Sequence, residues 1–492
     1  MRSRLVLAFL CAATFLVYLD TSITPVALPA LRADVGGGAT AGQWLLDSYT
    51  LAFACLLLTA GSLGDRLGRR NVLGLGIAGF TLASAGCALA PGVGALIAAR
   101  AAQGVFAAAV VPLSLAVTSG LFDDARQRAR AIGIWGGTSG VALALGPLLG
   151  GLLVESAGWR SMFWINIPIG LVALTGLLVT LPAAPRTGGA RRVDVLGQLL
   201  FVGGGGALTF VLIEGRDRGW LSWPILGLLA VGVLALVLFG WWETRTPEPM
   251  LPPGLLRVPT AAIACTVNFL GLLGLYAVLF LLTTYLQGTL GLSALQTGLR
   301  FLTLFGCLAV AAVGASSVVA RWGTRRTMVT GLVCVAVGLA GLVLVEAGVG
   351  YPGYAWALLL LGAGVPLSSG VVALQAMMGD VPPGLAGTAS GTVNTFRQFG
   401  AVLGVALAGL LSPERGGTVH SMYLTFVVAA VAAGLAAVLT AVVLPKGSAR
   451  REGVTAAACP ASDGRPVEAD GVGDRHGPRG HDQVGERAHS RD

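Results

Sequence analysis

Charge is what this chain has least of. Only 11% of its 492 residues are Asp, Glu, Lys or Arg, and its mean hydropathy is +0.80. A soluble domain carries about 25% charged residues, so the polar surface needed to dissolve a fold of this length is missing. Lysine occurs once, as Lys446 directly behind Pro445. A phosphate-cradling loop needs its lysine after a glycine-rich turn, which excludes an ATP site of that kind. Of the four histidines only His420 precedes the C-terminal tail. A zinc protease motif built on histidines is therefore excluded, and a His-dependent triad has no support. The G-x-S-x-G nucleophile elbow is absent. Cys11, Cys55, Cys87, Cys265, Cys307 and Cys334 lie inside apolar runs, Cys459 lies in the tail, and no pair has metal-ligand spacing. Buried thiols of this sort behave as small hydrophobes. The expectation is a protein that is not an enzyme, binds no cofactor or metal, and draws its energy from an ion gradient.

What remains is apolar sequence in long runs. Runs of about 20 residues match the thickness of a bilayer's hydrocarbon core. They fall at 5–28, 44–63, 71–90, 95–120, 131–154, 162–181, 194–213, 223–242, 260–283, 297–319, 327–346, 354–377, 387–411 and 421–444. The fold class is an all-α membrane protein with fourteen spans. The opening run continues to Pro29 without a small-residue cleavage site, so it is expected to be a retained span and not a removed signal peptide.

Arginine assigns the sides. Loops on the N-terminal side carry sixteen, including Arg2, Arg4, Arg66, Arg69, Arg70, Arg126, Arg128 and Arg130. Opposite loops carry only five: Arg32, Arg160, Arg216, Arg218 and Arg415. Cytoplasmic loops hold the excess of basic residues, so both termini are expected in the cytoplasm of a bacterial cell, with the chain in its cell membrane. The tail from Lys446 on holds eight basic and eight acidic residues, so the net charge of +9 belongs to the short loops and spans before it. These arginines are dispersed without interleaved aromatics, which argues against nucleic acid as a partner.

The chain also repeats itself. "DRLGRRNV" after the second run has a counterpart in "ARWGTRRTM" after the tenth, and Gly133, Gly146 and Gly151 recur as Gly391, Gly404 and Gly409 at a constant offset of 258. The domain reading is a six-helix bundle at 1–182, a two-helix insert at 183–258, a second six-helix bundle at 259–445 and a disordered cytoplasmic tail at 446–492. Parallel repeats of this kind enclose a substrate path at their interface.

Several motifs carry a family resemblance. "GSLGDRLGRR" resembles the cytoplasmic loop signature of the major facilitator superfamily. "LDTSITPVALPAL" in span 1, "RAAQG" in span 4, "GPLLGG" in span 5, the following "WRSMFWINIPIG" and the later "TTYLQGTLGLSALQTGL" are similar to its fourteen-span drug:proton antiporter branch. The resemblance implies two six-helix bundles rocking about a central cavity, exporting amphipathic drugs or antibiotics in exchange for protons. Partners would then be a small amphipathic substrate, protons and lipid, with the chain a monomer. An importer or facilitator of the same fold is the nearest alternative; a membrane-embedded enzyme or scaffold is the more distant one.

Individual residues sharpen this picture. An ionised carboxylate inside a span costs a few kcal/mol, and Asp20 stands well inside the first one. Arg100 is the candidate counter-charge; the pair reads either as a proton-coupling site, the role the resemblance implies for the span-4 arginine, or as a fixed structural ion pair. Asp47, Gln103, Gln287 and Arg397 are candidate cavity residues, with Asp47 also readable as an ordinary interfacial position. Gly133, Ala142, Gly146, Pro147, Gly150 and Gly151 match the antiporter motif of span 5, except that Ala142 replaces the family's middle glycine. Small residues let helices approach closely, and Pro147 is expected to kink its helix. Pro25 and Pro29 are expected to bend or end span 1 toward its outer end. Gly61, Gly64, Asp65, Arg66, Gly68, Arg69 and Arg70 form the cytoplasmic loop. The arginines anchor topology there, whereas Asp65 could sit against the positive N-terminal end of span 13 near Gly387, making the loop a latch between the halves.

Overall fold

The computed structural model describes residues 2–36, 38–182, 194–343, 350–378, 380–381, 386–411 and 418–445. The tail at 446–492 and the loop residues Arg186, Arg191, Arg192 and Arg415 lie outside them. Among the described residues there is no strand. Fourteen helices among the described residues are long and apolar enough to cross a membrane. They are α1 (Arg2–Val35), α2 (Ala39–Leu67), α3 (Arg69–Ala88), α4 (Val93–Gly120), α5 (Ala125–Ala157), α6 (Ser161–Thr180), α7 (Val195–Arg218) and α8 (Trp223–Glu243). The series continues with α9 (Pro259–Thr289), α10 (Ala294–Trp322), α11 (Thr324–Leu342), α12 (Pro352–Met377), α13 (Ala386–Leu410) and α14 (Thr418–Val443).

The helices form two six-helix bundles, α1–α6 and α9–α14, with α7 and α8 added. Each bundle is held by the same pairings: α1 on α5 and α2 on α4 in the first, α9 on α13 and α10 on α12 in the second. Helix α7 lies against both α2 and α13, while α8 packs on α7. Lipid leaves little hydrophobic drive for helices to associate, so close backbone approach and polar links do that work. Gln198 of α7 donates to the Cys55 carbonyl of α2 at 2.9 Å and is bonded to Thr59. Asp194 caps the start of α7 by accepting from the Gly197 N–H, and it also accepts from the Trp242 indole at 2.9 Å.

Helix α1 does not end at Pro25 or Pro29; it runs through both to Val35. A proline interrupts one backbone bond of a helix, and side-chain bonds surround this stretch. Thr24 donates to the Asp20 carbonyl, and the Val26 carbonyl accepts from Gln287 of the π-helical turn Tyr285–Thr289 at 2.9 Å.

The charged loop between α2 and α3 turns on Gly68, whose φ of 92° suits glycine. Its equivalent between α10 and α11 is Gly323, with φ 79°. Behind each glycine, the second residue of the next helix caps another helix. Arg70 donates to the Leu178 carbonyl near the end of α6 at 2.7 Å, and Arg325 donates to the Ala441 carbonyl near the end of α14. A guanidinium there satisfies carbonyls the helix leaves free and meets the negative end of its dipole.

Candidate functional site: a cavity between the bundles and a buried acid cluster

The seam between the bundles is closed at one end. Helix α5 meets α10, and α13 meets α2. Both contacts use the glycines that recur at the fixed offset. Gly151 faces the Leu295 backbone of α10 so closely that a Cβ would lie 2.5 Å from its Cα, and Gly409 leaves no room beside Gln43 of α2. Earlier on α5, Gly146 and the adjacent Gly150 lie against Ser22 and Ile23 of α1; Gly400 and Gly404 lie against the backbone of Phe269 and Leu273 on α9. Each helix of the pair thus uses one glycine group to pack within its own bundle and one residue to reach the other. Ala142 is fully buried, and its carbonyl faces the Ser22 hydroxyl at 3.4 Å; Pro147 presents its carbonyl to Gly298 of α10. Gly133 has open space around it. Four hydrogen bonds among the described residues complete the seam. Gln43 donates to the Val405 and Ala406 carbonyls, Gln287 to Val26, and the Leu295 N–H to Glu155.

Toward the other end the bundles part around a cavity of about 600 Å³. Tyr18, Phe53, Val111 and Trp135 of the first bundle face Asn268, Val371, Asn394 and Arg397 of the second across it. Asp194 and Glu248 of the insert, with Asp65 and Arg69, lie along its lining. Asp65 and Arg69 are exposed, so the cavity opens at the end that carries the arginine-rich loops. Arg397, eleven residues into α13, lies about 16 Å along the helix from its start. No ion pair to Arg397 occurs among the described residues.

Of the four candidate cavity residues, only Arg397 lines this space. Gln287 belongs to the closed seam and Gln103 to the acid cluster below, while Asp47 is buried within α2. The latch residues are likewise divided. Asp65 bonds Arg69 at 2.9 Å in an i,i+4 pair, and Arg66 is exposed. Thr388, Ser390 and Gly391 of α13 lie along the same cavity as Asp65 and Gly61. Gly64 packs on Leu113 of α4.

The acid cluster lies inside the first bundle. Asp20 is fully buried and pairs with Arg100 at 2.5 Å. It also accepts from Gln103 at 3.3 Å and from Asn166 at 2.8 Å. Ser84 ties the two amides together, accepting from Gln103 at 2.7 Å and Asn166 at 3.3 Å. Arg100 donates further to the Gln103 side-chain oxygen and the Leu45 carbonyl, and the Tyr49 ring covers it at 4.4 Å. A cation over an aromatic face is favourable, more so when desolvated. Asn166 and Ser84 were not foreseen from the sequence; the one available signal was an amide inside the apolar run "FWINIPIG".

A buried carboxylate that receives three donors is stabilised as an anion, and each donor removed would weaken that state. The cavity, for its part, offers apolar walls, amides and one guanidinium to an amphipathic guest.

The comparisons with known proteins bear on this architecture. The family model described as Major Facilitator Superfamily matches residues 10–405, and a second match covers 264–462. The chain belongs to the major facilitator superfamily. It is thus a multi-pass membrane protein of a transporter family. It is 39% identical over 413 residues to a puromycin resistance protein of Streptomyces alboniger, covering 82% of this chain and 81% of that one. It is 37% identical over 407 residues to the multidrug resistance protein Stp of Mycobacterium tuberculosis, covering 80% and 73%. A crystal structure of a D-xylose–proton symporter superposes with a TM-score of 0.67 at 16% identity, over 91% of this chain and 99% of that one. This last likeness establishes the fold alone.

Proposed function

We propose that this facilitator-superfamily chain exports amphipathic, antibiotic-like compounds across the bacterial cell membrane in exchange for protons, by alternating access. The observation that carries this reading is the cavity: both bundles line it, and the seam opposite is shut by glycine contacts and four hydrogen bonds. The arginine-rich end is the cytoplasmic one, so the open cavity is poised to load from inside and both termini are cytoplasmic. The resistance proteins to which the chain is similar support export over import.

Asp20 is the proton-coupling acid and Arg100 its counter-charge. In the inward-open form the cluster of Gln103, Asn166 and Ser84 supports the ionised carboxylate. In the outward-open form a proton binds Asp20 from the outer face and releases it from Arg100. Asp65 and its loop form the latch in the outward-open form, when α2 and α13 close over the cavity mouth. No cofactor beyond the proton gradient is required, and a single chain supplies the whole path.

The test uses inside-out vesicles from a strain without its own drug pumps. Puromycin and ethidium accumulate inside such vesicles when an inward-acid gradient is imposed, and a protonophore abolishes the accumulation. Uptake that ignores the gradient would make the chain a facilitator. Uphill transport by an Asp20→Asn variant would remove Asp20 from the coupling step.

A further inference from the structure

The cavity holds a cation at depth. Arg397 lines it from α13, about 16 Å along that helix from its start. Charges inside a membrane span are costly and mark substrate or ion paths by default. Among the described residues no ion pair or hydrogen bond engages this guanidinium, which leaves its planar fork of N–H donors open. Amides that share the lining are committed elsewhere. Asn268 donates to the Ala264 carbonyl and accepts from the Gly370 N–H, both at 2.8 Å. Asn394 donates to the Ser390 carbonyl at 3.2 Å.

The acids of the lining stand at its mouth. Asp65 lies near the end of α2, Asp194 caps the start of α7, and Glu248 follows α8. Asp65 is paired with Arg69, and Asp194 accepts from the Gly197 N–H and the Trp242 indole. Within the first bundle Asp20 is held by Arg100, and Asp47 is fully buried and outside the lining. The charge offered to a guest at depth is therefore positive. Around it stand the apolar walls of Phe53, Val111, Val371 and Leu374, and a volume of about 600 Å³ suits a drug-sized molecule. A guanidinium receives a carboxylate through two parallel N–H···O bonds. That pairing strengthens as the bundles close and water leaves.

We propose that Arg397 determines the specificity of the cavity by pairing with a carboxylate or similar acidic oxygen of the exported compound, so that amphipathic anions are preferred over their neutral analogues. The apolar body of the guest lies against the walls, and its anion takes the place of water on the guanidinium. This names the substrate class within the antiport reading above and rests on it for transport, but binding is measurable without a gradient.

The probes are dansylglycine and dansylglycinamide, which differ only in the carboxylate. Fluorescence titration of the full chain in lipid nanodiscs at pH 8, against empty nanodiscs, gives the ratio of their affinities. The wild type is expected to bind the acid at least about tenfold tighter, the least that a hydrogen bond to a charged group contributes. Arg397→Gln should bring the acid down to the amide, whereas a merely structural loss would weaken both alike and leave the ratio unchanged. Arg397→Lys keeps the charge without the fork, so the preference should fall but persist; this variant decides where Arg397→Gln does not fold. Equal binding in the wild type, or a ratio that either variant leaves unchanged, overturns the proposal. A second arm follows accumulation of both probes in inside-out vesicles as the membrane potential is varied. An anion leaving as one proton enters moves two charges the same way, and a neutral amide moves one. Each charge changes the limiting accumulation about 50-fold per 100 mV, so the acid should respond twice as steeply on a logarithmic scale; equal slopes overturn its carriage as an anion. Absence of gradient-driven transport of either probe would sink the antiport reading and leave the affinity ratio standing.

Discussion

Replacing Asp20 alone, and then Asp20 with Arg100, separates the stability of their pair from its work. Asp20→Leu leaves the Arg100 guanidinium 2% exposed with no anion beside it. Breaking a buried ion pair by removing one partner costs about 3–5 kcal/mol. The structure places the cost toward the lower end, because Arg100 keeps the Gln103 oxygen at 2.9 Å, the Leu45 carbonyl at 3.3 Å and the Tyr49 ring. Gln103 and Asn166 lose an acceptor but retain the Ser84 hydroxyl. The expected loss is about 3 kcal/mol. Removing both charges, as in Asp20→Leu with Arg100→Met, also removes two desolvation penalties, and such exchanges are neutral or stabilising by about 1–4 kcal/mol. The double variant should therefore be more stable than Asp20→Leu alone by about 3 kcal/mol or more. Unfolding of detergent-solubilised protein, followed by denaturant titration, reads that difference, and vesicle accumulation reads transport. Stability should return in the double variant while gradient-driven accumulation stays lost. A double variant as fragile as the single would refute the account of the pair as mutually compensating buried charges.

Other contacts yield shorter tests. Gly151→Leu would drive a side chain into the Leu295 backbone, so the seam should fail to close; a reporter cysteine at the buried Ala294 should become reactive to membrane-impermeant thiol reagents while transport is lost. Asp65→Asn breaks an exposed i,i+4 pair with Arg69 that is worth about 0.5 kcal/mol or less, so the melting curve should not move. A fall in transport rate would then report the latch and not the fold. Gln43→Leu removes two seam bonds worth about 0.6 kcal/mol each on average, and distance measurements between spin labels across that end should show a larger open fraction. Arg70→Gln uncaps α6 at Leu178 and should cost about 0.3–1 kcal/mol, measurable as a lower melting temperature.

The spans were readable because a bilayer imposes one requirement on every helix: about 20 apolar residues, with charge only at the ends. Asp20 was readable for the same reason, since an acid inside such a run has no cheap explanation. Its counter-charge was readable as the one arginine inside the adjacent α4. Asn166 and Ser84 were not, because amides and hydroxyls bond their own helix so often that their presence in a span says little. The glycine pattern showed that backbones approach closely without showing which ones. That Gly146 meets α1 while Gly151 meets α10 depends on how the bundles are set against each other. Gln287 looked like a cavity residue because polar groups in spans line aqueous paths; the π turn at Tyr285–Thr289 turns it instead toward the carbonyl of Val26.

The strength of the seam sets how much energy a transport cycle needs. Inter-helix hydrogen bonds in membranes average about 0.6 kcal/mol, so the four across the seam hold it by about 2–3 kcal/mol. The glycine contacts fix the distance of approach, but lipid tails compete for the same van der Waals contact and add little to the difference between open and closed. One proton moving through 100 mV and one pH unit releases about 4 kcal/mol. That exceeds the hold of the seam, yet it falls short of the roughly 5.5 kcal/mol needed to carry a two-state equilibrium from 1:99 to 99:1. One acid alone would thus bias the bundles without committing them. Substrate binding must then supply the remaining energy, about 1.5 kcal/mol, as a preference of the guest for one arrangement of the bundles.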